Sequence, residues 1–157
     1  MIYIGIDPGK AGGYASIGND ATTPEVHPWD DYSFVAWLGE MNIYARDTGE
    51  GIVAAVEKVG AMPGNGSVSM FNFGQSYGFI LGALMALNVP FQIVPPRKWK
   101  AEFGLNSDKA KSIEVCHRLF PGVSLRRTDK CRTDSDGMAE SLLIAEYAHR
   151  HFGEGYV

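Results

Sequence analysis

Two apolar runs in this chain of 157 residues end on a carboxylate. Ile2-Tyr-Ile-Gly-Ile6 leads into Asp7, and Ile52-Val-Ala-Ala-Val56 leads into Glu57. A lone acid closing a strand of the kind buried on both faces does nothing for the fold. Ligands of open α/β sheets gather at the carboxyl ends of strands. A second set of acids, Asp134, Asp136 and Glu140, opens the last helical stretch, and the latter two, four residues apart, share a helix face. Acids at a helix start also cap it and suit its dipole, and that is the simpler role for Asp134. Three or four carboxylates converging in one place repel one another unless cations neutralise them, and an all-oxygen donor set selects Mg²⁺ or Mn²⁺. Two such ions about 3.5–4 Å apart activate a water and stabilise the leaving oxygen in phosphodiester hydrolysis.

The charge distribution supplies a place for the phosphate. The formal net charge is −4, which argues against a protein that coats nucleic acid with its whole surface. Residues 1–96 carry three basic against nine acidic side chains, residues 97–132 ten against four, and residues 133–157 one against five. The middle stretch, with Arg97, Lys98, Lys100, Lys109, Lys111, Arg126 and Arg127, is a basic island that a polyanion could occupy if the fold gathers it. A solvated helical surface is the plainer reading of the same charges.

The elements that must position these groups are legible in outline. Asp7-Pro8-Gly9 turns the chain after strand one, and a second strand follows at 14–17, so the first two strands form a hairpin. Gly18-Asn19-Asp20 is a further turn signal, and a weaker third strand is expected near 25–29. Asp31 or Ser33 caps a helix whose apolar residues Phe34, Val35, Trp37, Leu38 and Met41 recur at three and four and which ends near Tyr44. A strand over 51–56 is followed by a Gly- and Pro-rich loop at 60–66. A long helix over about 67–87 carries Gly74, Gly78 and Gly82 on one face, a stripe expected to let the helix pack closely on the sheet. A short strand at 91–94 stops at Pro95-Pro96. A short helix then runs through Trp99, a helix over about 107–120 is capped by Ser107 or Asn106, and a last helix runs over about 134–151.

At 17.1 kDa, with 45% hydrophobic residues, the chain suits one globular domain over residues 1–157. Cys116 and Cys131 lack metal-site spacing and read as buried thiols in a reducing cytoplasm. There is no leader-like segment and no long apolar run, so a cytoplasmic protein is expected.

Taken in order, Ile4-Gly5-Ile6-Asp7-Pro8-Gly9, Glu57 after its strand, Phe73-Gly74-Gln75-Ser76-Tyr77-Gly78 in the long helix and Ala139-Glu140-Ser141-Leu142-Leu143-Ile144-Ala145 resemble the RuvC-type Holliday junction resolvases, especially their phage-borne branch. The resemblance spans about residues 2–150. It implies a ribonuclease-H-like α/β fold, a mixed five-stranded sheet with helices on both faces, acting as a homodimer that nicks four-way DNA junctions with Mg²⁺. Asp7 and Glu57 match the first two family carboxylates and Glu140 the last. The bacterial pattern sets its third acid three residues before the fourth, where this chain has Gly137. Asp136 is the substitute one helical turn away, with Asp134 in reserve. Lys100 and Lys109 match two lysines that serve the bacterial enzymes. Lys109, in the first turn of its helix, opposes the dipole preference there and reads as a phosphate contact. Phe71 could wedge against bases at the crossover, while Phe73 reads as core.

Within this class, debranching of flaps and forks competes with strict junction resolution. A non-catalytic branched-DNA-binding module of the same fold gains nothing from acids beside phosphate. A sugar-kinase or actin-like phosphotransferase shares the first turn but needs two such domains, and the chain has no GxxxxGK[ST] loop.

Overall fold

A computed structural model describes residues 1–18, 24–60 and 64–153. The strands are β1 (Ile2–Asp7), β2 (Gly13–Gly18), β3 (Glu25–Pro28), β4 (Ile52–Glu57) and β5 (Phe91–Val94). The helices are α1 (Asp31–Thr48), α2 (Ser67–Ala86), α3 (Pro96–Glu102), α4 (Lys109–Leu119) and α5 (Asp136–His151). They build one mixed five-stranded sheet in the order β3-β2-β1-β4-β5. The hairpin strands β1, β2 and β3 pair antiparallel, while β1–β4 and β4–β5 are parallel, as crossovers through helices require. Asn19 and Asp20 of the second expected turn, and residues 61–63 of the Gly- and Pro-rich loop, lie outside the described residues.

The period of two along the strands divides the core. Ile2, Ile4 and Ile6 of β1 and Ile52, Ala54 and Val56 of β4 join Phe34 and Leu38 of α1 and Ile80 and Leu84 of α2. The alternate residues Tyr3, Val53 and Ala55 join Leu142, Leu143 and Ala145 of α5, with Trp99 and Val115 of α3 and α4. Asp7 and Glu57 belong to this second register. α5 lies directly over the sheet centre at Gly5, where an added Cβ would run into the Ser141 carbonyl and the Ala145 backbone.

Several local expectations need correcting. The caps are Asp30 for α1, Asp108 for α4 and Ser135 for α5, each accepting a backbone N–H from within the first turn. α1 continues past Tyr44 to Thr48 because its stop is Gly49, left-handed at φ 72°. The glycine stripe of α2 does not meet the sheet: Cβ atoms at Gly74, Gly78 and Gly82 would have no neighbour within 4 Å. α2 packs instead through Ile80 and Leu84, and its glycines face outward. Cys116 is buried, its thiol pushed up to about 12 chiefly by that burial, whereas Cys131 is only half-buried and meets the Thr128 hydroxyl. No helix among the described residues is long and apolar enough to cross a membrane.

Candidate active site

β1 and β4 run parallel with Ile6 beside Val56, so their last residues, Asp7 and Glu57, emerge side by side from the sheet. Both lie in the register that α5 covers. Glu140, one turn into α5, points down at the same place, and carboxylate oxygens of Asp7, Glu57 and Glu140 lie within 4.8 Å of one another. Three elements far apart in sequence thus deliver three acids to one point at the carboxyl edge of the sheet.

That arrangement is electrostatically costly for the chain alone. Burial holds the Asp7 carboxyl well above the usual carboxylate range, and Glu57, Glu140 and Asp136 add to the shift against a smaller downward pull from Lys100. Burial also raises Glu57, partly offset by the Trp99 hydrogen bond. Two half-buried acids and the buried Glu140, crowded so closely, fit a hard divalent cation, which oxygen donors hold and which removes the repulsion. The residues therefore suit Mg²⁺ or Mn²⁺ by the chemistry of the donor set.

The chain also supplies donors that hold the acids. Trp99 Nε1 donates to Glu57 Oε2 at 2.8 Å. Lys100 Nζ donates to Glu140 Oε1 at 3.2 Å, and Ser112 Oγ donates to the same oxygen at 3.1 Å. Neither Trp99 nor Ser112 was singled out by the sequence as a site residue. The signals were slight: a buried indole N–H needs an acceptor, and Ser112 follows Lys109 by three, on the same face of α4.

Asp136 lies one turn before Glu140 and pairs with Lys109 at 2.7 Å, which raises the lysine ammonium. Lys109 is thus committed, in this structure, to an acid beside the cluster, with its side chain 72% exposed. The position three before Glu140 excludes an acid on steric grounds, because Gly137 sits against the Ala11 carbonyl and any Cβ there would overlap it. Asp134 does not join the cluster. It pairs with His117 at 2.7 Å, and its capping role falls to Ser135.

The basic island is used unevenly. Arg97, Lys98, Lys111 and Arg126 are exposed. Arg127 is also engaged within the chain: its guanidinium donates to the carbonyls of Lys10, at 2.9 Å, and of Ala11, at 3.2 Å, pinning its segment to the turn after Asp7. Phe71 is 67% exposed. Phe73 is half-buried rather than core and rests near Gly9. It lines a cavity of about 760 Å³ with Lys10, Trp29, Asn72 and Gln75. The three clustered carboxylates do not line that cavity.

No protein-family model matches the chain. The chloroplastic Holliday junction resolvase MOC1 of Chlamydomonas reinhardtii is 33% identical to it over 96 residues, 59% of this chain and 10% of that protein. The match therefore spans a tenth of the relative's length. Among solved structures, Thermus thermophilus RuvC in complex with Holliday junction substrate aligns over 97% of both chains, with a TM-score of 0.59 at 17% identity. A second structure of Thermus thermophilus RuvC aligns over 96% of both, with a TM-score of 0.56 at 19% identity. Agreement from end to end at such identities is agreement of fold: this chain is an α/β protein built on the RuvC form of the ribonuclease-H-like fold.

Proposed function

We propose that the chain is a divalent-metal-dependent, structure-selective endodeoxyribonuclease that resolves four-way DNA junctions, working as a homodimer. The observation that carries this reading is the convergence of Asp7, Glu57 and Glu140 within 4.8 Å on a RuvC-like frame. The junction substrate of the aligned RuvC structure and the resolvase name of the sequence relative support the choice of DNA junctions.

In this reading Asp7, Glu57 and Glu140 hold Mg²⁺, or Mn²⁺ in its place, and Asp136 serves as the fourth acid when Lys109 turns from it to phosphate. Two bound ions supply activation of the attacking water and charge stabilisation at the leaving oxygen. The chain's own residues do the remaining work. Trp99, Lys100 and Ser112 keep the acids in place, and the exposed Arg97, Lys98, Lys111 and Arg126 hold the phosphate backbone without reading sequence. Phe71 wedges against a base at the crossover, a role its exposure near the start of α2 supports. A two-fold junction needs two nicks, and one small domain offers one site, so a second copy completes the enzyme. The outward apolar residues of α2, Val68, Phe79 and Met85, suit that contact.

The test is a cleavage assay on a labelled four-way junction with Mg²⁺, with Asp7→Asn as control. Cleavage lost in Asp7→Asn, with junction binding retained and improved by Ca²⁺, supports the reading. Equal cutting of a flap or fork redirects it to a general debranching nuclease, and binding without cleavage in any metal sinks it.

A further inference from the structure

Two neighbouring residues of α3 each hold one acid of the cluster. Trp99 donates its indole N–H to Glu57 Oε2, and Lys100 donates to Glu140 Oε1, which also accepts from Ser112. Each glutamate therefore reaches the cluster with one oxygen already engaged by the chain. This matters for the choice of ion. A glutamate with both oxygens free can chelate a large, loosely coordinated cation such as Ca²⁺, whereas Mg²⁺ is bound through few, well-placed single oxygens in a near-ideal octahedron.

The donors differ in stiffness. Lys100 reaches Glu140 on a long flexible stem, and the Ser112 hydroxyl rotates to suit. Trp99 is a rigid ring with 0% exposure, set in the same core cluster as Val94, Val115 and Leu142. The Lys100 ammonium lies over it, 5.1 Å from the ring centre. Its N–H cannot follow Glu57 if the carboxylate turns. We propose that Trp99 is the positioning residue that fixes Glu57 as a one-oxygen ligand, and that this sets the site's preference for Mg²⁺ and Mn²⁺ over Ca²⁺. The inference rests on the metal-nuclease reading above and adds to it the residue that selects the ion. Trp99 acts through Glu57 and touches no substrate.

A purely structural indole would satisfy its N–H on any acid, and the fold contains that control. Trp37 Nε1 donates to Glu25 Oε2 at 3.0 Å, in the core on the opposite face of the sheet. Calorimetric titration of Mn²⁺ and of Ca²⁺ into wild type, Trp99→Phe and Trp37→Phe separates the two roles. Wild type and Trp37→Phe should bind Mn²⁺ more tightly than Ca²⁺. Trp99→Phe should lose about tenfold or more in Mn²⁺ affinity, the usual cost of removing an outer-shell partner, while Ca²⁺ binding changes little. A Trp99→Phe protein that keeps the wild-type Mn²⁺ to Ca²⁺ ratio overturns the proposal, whatever its melting temperature. Should that variant not fold, indole N–H resonances of the wild type decide, assigned by elimination with Trp29→Phe and Trp37→Phe. Titration with Mg²⁺ should move the Trp99 signal most, and a Trp99 signal that moves no more than that of Trp37 refutes the role. A wild type that binds no divalent cation overturns the metal-nuclease reading itself. Equal discrimination by wild type and Trp99→Phe overturns only the role of Trp99.

Discussion

The two faces of the sheet are built from alternate residues of the same strands, yet they carry their helices in opposite ways. On one face α5 is buried at eleven of its sixteen positions, presses its backbone onto Gly5, seats its own Gly137 against the Ala11 carbonyl, and brings Glu140 down to Asp7 and Glu57. On the other, α2 has twenty residues but fully buries only Ile80 and Leu84, while Val68, Phe71 and Met85 stand exposed beside glycines with open space above them. Both helices are rich in small and apolar side chains, so composition does not separate them. One completes its packing within the chain, where the close approach brings Glu140 to the acids at the strand ends. The other leaves apolar side chains exposed, the feature on which the proposed contact with a second copy rests.

The largest expected effect lies at the closed face. Asp7→Asn should lower junction cleavage by about a thousandfold or more, since a bound metal contributes several kcal/mol to the transition state and each 1.36 kcal/mol is a factor of ten. Single-turnover rates at saturating enzyme would show it, and a wild-type rate would remove the metal site from the chemistry. Next, Gly5→Ala should destabilise the fold by roughly 1–3 kcal/mol, because the new methyl meets backbone atoms of α5 that cannot rotate away. Denaturant unfolding measures this, and an unchanged midpoint would mean that α5 sits less tightly than the structure has it. On the open face, Met85→Asp should turn a dimer into a monomer in light scattering while circular dichroism shows the fold retained. A monomeric wild type would end the proposed role of α2.

A smaller effect follows from the crowded acids. Burial and mutual repulsion raise Asp7 and Glu57 in the folded chain, so the native state keeps these protons at pH values where the unfolded chain has released them. The metal-free protein must then lose stability as pH rises from the ordinary carboxylate range through the raised native values. Thermal melts in chelator should fall over that window and recover with Mg²⁺. In chelator at neutral pH, Asp7→Asn should melt above wild type, because the variant removes a buried charge from the crowded set. A variant melting below wild type would show that Asp7 is already compensated. Smallest of all, Gly78→Ala should stabilise the monomer by roughly 0.5–1 kcal/mol through helix propensity alone, in direct contrast to Gly5→Ala. If it destabilises, α2 meets more than open space.

The parts whose cause is local are legible along the chain. Alternation and β-branching placed β1 and β4 and put Asp7 and Glu57 at their ends, and the spacing of Asp136 and Glu140 set them on one helical face. The order of the motifs identified the RuvC-like frame. What depends on which elements meet emerges only in three dimensions. α5, rather than the glycine-striped α2, takes the close seat on the sheet, because the collisions that demand glycine occur at Gly5 and Gly137. Asp134 and Arg127, similar in sequence to the charges around them, are engaged by His117 and by the carbonyls of the Asp7 turn. Trp99 becomes a partner of Glu57 only through folding that joins positions forty-two residues apart. Charge and periodicity are properties of neighbours along the chain, whereas a hydrogen-bond partner is a property of neighbours in space.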